Sequence, residues 1–99
     1  MQSELTFEWD QVKADINLRK HAISFEDAKF VFADPLRTTV PDDRFDYREE
    51  RLVAYGYIDN RLFTVVFIQG LTSQVIRIIS ARKANARERK RYGYREIHH

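Results

Sequence analysis

No cysteine occurs among the 99 residues, which excludes disulfides and thiolate metal sites. That absence fits a reducing compartment, and a cytoplasmic location is the expectation. Glycine is scarce, at three residues, and no glycine-rich phosphate loop is present. With two prolines and no biased tract, nothing in the chain reads as a linker, a repeat or a low-complexity segment. No apolar run approaches the roughly 20 residues of a membrane span, and the first residues show no signal-peptide pattern. Histidine and acidic residues fall in no recognised metal-ligand spacing, so neither a metal nor a cofactor is expected.

What is present supports one folded core. Hydrophobic residues make up 43% of the chain and aromatics 13%, a content that favours a folded domain over a disordered one. The length predicts a single domain over 1–99. A net charge of +2 hides an asymmetry. Residues 1–50 hold seven Lys/Arg against twelve Asp/Glu, or −5, while 51–99 hold ten against three, or +7. The halves can compensate each other within the fold, or the basic half can serve a polyanion.

Leu5-Thr6-Phe7-Glu8-Trp9 alternates as a half-buried strand does. Asp10 can cap a helix running to about His21, with Trp9, Val12 and Ile16 expected on its buried face. Ser24 opens a second helix whose stripe is Phe25, Ala28, Val31 and Phe32, stopped at Asp34-Pro35. Residues 36–40 read as a short strand, and 41–50, with seven charged residues and no aliphatic one, as a mobile loop. Strands over 51–58, 62–69 and 75–80 follow as an antiparallel meander, turning at Asp59-Asn60 and at 70–73. The architecture is α+β in two layers, with one further helix at the C-terminal end.

The segment 75–92 passes from an apolar strand into a basic helix. Arg77 stands in the strand, where a cation is costly to desolvate unless it has a purpose or a partner. By alternation it shares a face with Val75 and Ile79, opposite Ile76, Ile78 and Ser80. It can grip a phosphate bidentately or pair with an acid of the meander or the 41–50 loop. Arg82 stands at the turn into the helix and is the cation best placed to enter a site. Lys83, Arg87, Arg89, Lys90 and Arg91 wrap around the helix and either are simply solvated or supply long-range attraction for a polyanion such as RNA. Tyr92 can stack on a base, donate to phosphate, or pack on the core. His21, after Lys20, either caps its helix as a cation or acts as general base or acid. Glu50 can orient Arg51, act as a base, or form an ordinary cross-strand pair.

These fragments together resemble the BrnT family of bacterial toxins. The residues that carry the resemblance are Phe7-Glu8-Trp9-Asp10 with Lys13 and Asn17, then Lys20-His21 before Ile23-Ser24-Phe25-Glu26 and Ala28. It continues through Phe32-Ala33-Asp34-Pro35, Glu50-Arg51, Gly56, and Arg77-Ile78-Ile79-Ser80-Ala81-Arg82 with Ala84, Glu88 and Tyr92. The resemblance implies a RelE-like fold, two N-terminal helices and one C-terminal helix packed on a twisted, mainly antiparallel sheet. It implies a ribonuclease toxin of a type II toxin-antitoxin system that inhibits translation. The implied partner is a BrnA-type antitoxin with a ribbon-helix-helix DNA-binding part, through which alone operator DNA is bound, in a 2:2 complex.

Two positions depart from the family pattern: Ala22 and Arg48 stand where glycine is usual. A left-handed backbone at Ala22 would cost about 1 kcal/mol. Without a metal, the expected reaction is attack of a ribose 2′-hydroxyl on the adjacent phosphate, leaving a 2′,3′-cyclic phosphate. Arg51, Arg77 and Arg82 are the candidates for charge stabilisation. His21, Lys20 and Glu50 are the candidates for proton transfer. The competing expectation is a non-catalytic basic module that holds an antitoxin or nucleic acid.

Overall fold

The computed structural model describes residues 4–43 and 49–94. Arg48, most of the expected loop, and the terminal His98 and His99 lie outside them. Strands β1 (Thr6–Glu8), β2 (Thr38–Pro41), β3 (Leu52–Ile58), β4 (Arg61–Gln69) and β5 (Val75–Lys83) form one sheet in the order β1-β5-β4-β3-β2. Among the described residues only the β1–β5 pair is parallel, so the sheet is mixed. The β3–β4 hairpin closes with Ile58 opposite Arg61, and Asp59 at φ 56° supplies the left-handed residue of the turn.

Helix α1 (Gln11–His21) begins as expected, with the Asp10 carboxylate accepting from the N–H of Val12 and Lys13. Its buried face differs from the expected one. Ala14 and Asn17 are buried, whereas Val12 is 66% exposed and Ile16 47%. The cause is the open edge of β5 beyond its last residue paired with β1. There the Asn17 side chain replaces a strand, donating to Ala81 C=O at 2.9 Å and accepting from Ala81 N–H at 3.0 Å. It also donates to Ile23 C=O at 3.1 Å, so it closes the turn after α1.

Ser24 caps the second helix, but only Phe25–Ala28 is α-helical (α2), and Lys29–Ala33 tightens into a 3-10 segment. The tighter segment keeps Val31 and Phe32 on the core and brings Val31 against Gly56 of β3. A Cβ at Gly56 would lie 2.9 Å from Val31 Cγ1. Asp34 then does at β3 what Asn17 does at β5. Its carboxylate accepts from Leu36 N–H, from Tyr57 N–H at 2.8 Å beyond the end of β2, and from the Tyr94 hydroxyl.

The expected two layers are corrected by the position of α3 (Ala86–Tyr92). Helices α1 and α2 cover one sheet face, where Phe25, Val31, Phe32, Ala54, Val65, Phe67, Ile76 and Ile78 form the larger core. On the other face Val53, Tyr55, Tyr57, Leu62, Val66 and Ala84 form a smaller core, against which Tyr92 of α3 packs. No helix is long and apolar enough to cross a membrane among the described residues.

Candidate active site

Strand β5 does not stop at Ser80 but pairs with β4 as far as Lys83. Phe67 lies opposite Ile78 and Val66 opposite Ser80, so Ile79 is an extra residue, a β-bulge. Strict alternation would put Arg82 on the core face with Ile76 and Ile78. The bulge reverses the phase, so Ser80 leaves the face expected for it and joins Arg77 and Arg82 on the opposite one. Arg82 there lies across from Thr64, within the strand and not at the turn. The turn belongs to Asn85, which caps α3 in a capping box with Glu88.

Glu88 is thereby aimed back at β5. Arg82 Nη1 donates to Glu88 Oε1 at 2.7 Å and Nη2 to Oε2 at 2.9 Å, a bidentate pair. The Asn85 N–H donates to the same carboxylate at 2.9 Å and the Thr64 hydroxyl at 3.4 Å. Burial works to raise the Glu88 pKa, but the Arg82 and Asn85 hydrogen bonds outweigh it, and the net shift is below the ordinary 4.5. The guanidinium is thus fixed by an ionised partner.

Arg82 and Glu88 belong to a cleft of about 340 Å³ with His21, Tyr55, Tyr92, Thr64, Ser80, Asp42 and Asp43. Tyr92 stacks on Tyr55 with ring centroids 3.9 Å apart and planes at 9°. His21 enters from the end of α1, where Ala22 adopts the left-handed cap (φ 59°, ψ 29°) and donates to Leu18 C=O. Burial, then the charges of Lys20 and Arg82, lower the His21 pKa below 6.5. A neutral imidazole beside a fixed guanidinium can accept a proton while the cation stabilises nearby negative charge.

Three expected residues therefore meet here: His21, Arg82 and Tyr92. Lys20 acts on His21 only from its flank. Arg77 shares the sheet face but lies 3.8 Å from Glu8 on β1, a partner outside both the meander and the loop. Glu50 lies at a separate cleft with Glu49, Leu52, Ile68 and Gln69. The Arg51 carbonyl accepts from Asp42 N–H at 2.8 Å, tying β3 to the rim of the cleft. Lys83 lines a cleft with Phe30 and Phe63, while Arg87 and Arg91 are exposed on α3, Arg91 over the Tyr92 ring.

The cleft with Lys83 is the larger one, about 720 Å³. Among the described residues it brings apolar side chains together with Asp27, Asp34, Asp59 and Lys83 but no histidine or arginine, so the chemistry is sought in the smaller cleft. Glu88, Thr64, Ser80, Tyr55 and Asp42 were not among the expected site residues. Only Glu88 had a local signal, the spacing Asn85-x-x-Glu88. Among the described residues, no three His, Asp or Glu side chains are grouped to hold a metal ion.

A comparison with curated proteins gives no match. Residues 9–88 match the family model "Ribonuclease toxin, BrnT, of type II toxin-antitoxin system". The match runs from Trp9 through the bulged strand to Glu88, and it leaves out Tyr92. The chain belongs to the BrnT family of type II toxin-antitoxin ribonuclease toxins.

Proposed function

We propose that this single-domain chain is a metal-independent endoribonuclease that arrests translation and is neutralised by a BrnA-type antitoxin. The observation that carries the proposal is the cleft in which Glu88 fixes Arg82 beside a neutral His21. In the proposed reaction His21 takes the proton of the ribose 2′-hydroxyl. The freed oxygen attacks the adjacent phosphorus, the 5′-oxygen of the next nucleotide leaves with a proton, and a 2′,3′-cyclic phosphate remains. Arg82 stabilises the phosphorane charge, with Arg77 and Arg51 adding to the field from outside the cleft. Lys20, on the flank of His21, is the remaining candidate for the leaving-group proton, since Glu50 lies at a separate cleft. Tyr92 positions RNA, and Lys83, Arg87 and Arg91 attract it.

Membership of a type II family supports an antitoxin partner. We propose that it carries a ribbon-helix-helix part, binds operator DNA for the pair, and assembles 2:2 with this chain. A second reading has one observation in its favour: both Glu88 oxygens already occupy the Arg82 fork. A module that only holds nucleic acid or antitoxin would keep RNA intact.

The test is purified protein, freed of antitoxin, incubated with labelled RNA in excess EDTA, with and without translating ribosomes. Cleavage in either arm, leaving cyclic phosphate ends, is the expected result. Bound but intact RNA in both arms would replace the nuclease with the binding module.

A further inference from the structure

The sheet face that carries the His21–Arg82 cleft has a second opening, of about 310 Å³, on the other flank of α3. Tyr57 and Leu62 form its floor, one strand repeat (about 7 Å) along from Tyr55 and Thr64. Asn60 and Arg61 of the β3–β4 hairpin form one wall and Arg89 of α3 the other. Among the described residues no carboxylate lines it, whereas Glu88, Asp42 and Asp43 line the first cleft.

Its two cations are arranged differently. Arg89 Nη1 donates to Ala84 C=O at 2.9 Å, which holds the guanidinium at the rim with donors to spare. Arg61 is exposed and makes no ion pair among the described residues. Glu88 and Tyr92, four residues apart, face the first cleft, and Arg89 turns to the second. Between the two clefts α3 exposes Arg87, Lys90 and Arg91. A positive track crossing a short helix, with planar donors at its far end, is what a single-stranded backbone follows. A protein partner would need an apolar anchor, and the apolar floor here is already buried.

We propose that the Arg61–Arg89 cleft is a second phosphate subsite for single-stranded RNA. It seats a backbone phosphate of the strand whose reacting phosphate lies at Arg82, and so favours longer substrates. The inference rests on the RNA reading above, but its test does not depend on cleavage.

Fluorescence anisotropy of a labelled, uncleavable 2′-O-methyl RNA is measured against salt for wild type, Arg61→Ala, Arg61→Lys and Lys29→Ala. Lys29 lies on the helical side and controls for loss of charge alone. Arg61→Ala is expected to weaken binding roughly threefold to tenfold and to lower the log–log salt slope by about 0.7. Arg61→Lys restores the slope, and Lys29→Ala changes neither quantity. Equal effects of Arg61→Ala and Lys29→Ala overturn the subsite. So does a loss seen with polyglutamate but not with RNA, which assigns the cleft to an acidic peptide. If wild type binds but never cuts RNA while the Arg61 effect holds, the subsite stands and only the nuclease fails.

Discussion

At Ala22 a residue with a Cβ sits in the left-handed region because α1 must end and turn toward Ile23. Glycine would adopt φ 59° without that penalty. Ala22→Gly should therefore stabilise the protein by up to about 1 kcal/mol, raising Tm by roughly 4–8 °C in a thermal melt. His21, its neighbour, titrates below 6.5 in the folded chain. Cleavage should thus be flat near neutral pH and fall off on the acid side, with an inflection below 6.5. His21→Ala should remove that inflection and slow cleavage by about 10²–10⁴-fold, as pH–rate profiles would show. The unfolded chain binds the proton more tightly, so this group's contribution to stability is lost as pH falls from 6.5 through the folded value.

At the scale of elements, α1 and β5 are joined by one polar side chain. Asn17→Ala would strand the N–H and C=O of Ala81 at a buried edge. The expected cost is about 2–4 kcal/mol, measured by urea denaturation. Starts and caps were legible because they are local: Asp10 and Ser24 advertise their helices within four residues. The bulge at Ile79 was not, because it exists only in the pairing of β5 with β4, which no single strand records. That loss mattered most, since the bulge decides that Arg82 faces the cleft. Val12 and Ile16 were expected on the buried face of α1 and Asn17 was not, because apolar periodicity cannot register a side chain that substitutes for a strand. The spacing Asn85-x-x-Glu88 carries a capping signal that the sequence reading did not use, and the second role of Glu88 on Arg82 needs the fold. Glu88 also sets an acid limit. Its pKa lies below 4.5, so the Arg82 pair contributes fully above that value and is lost as pH falls through the folded pKa.

Across the whole molecule the sheet separates two jobs. The acidic N-terminal half supplies α1 and α2, which close the larger core, and the basic C-terminal half supplies β5 and α3 around the cleft. Phe25 is 1% exposed and meets Trp9 edge-on at 6.0 Å, so Phe25→Ala should cost about 3–5 kcal/mol. That is a large share of a total of about 5–15 kcal/mol, and the melt should drop steeply. Tyr92→Ala removes a stack worth about 0.5–1.5 kcal/mol beyond its burial. It should loosen α3 and cleavage while leaving most of the melting temperature in place.

Arg82, held by Glu88, is proposed to serve a phosphodiester reaction in this cleft. Single-turnover cleavage of labelled RNA in excess EDTA by wild type and Arg82→Ala, both folded by circular dichroism, tests it most directly. Cyclic phosphate ends are expected from the wild type, and a rate at least about 100-fold lower from the variant. Equal cleavage by folded Arg82→Ala would contradict that role.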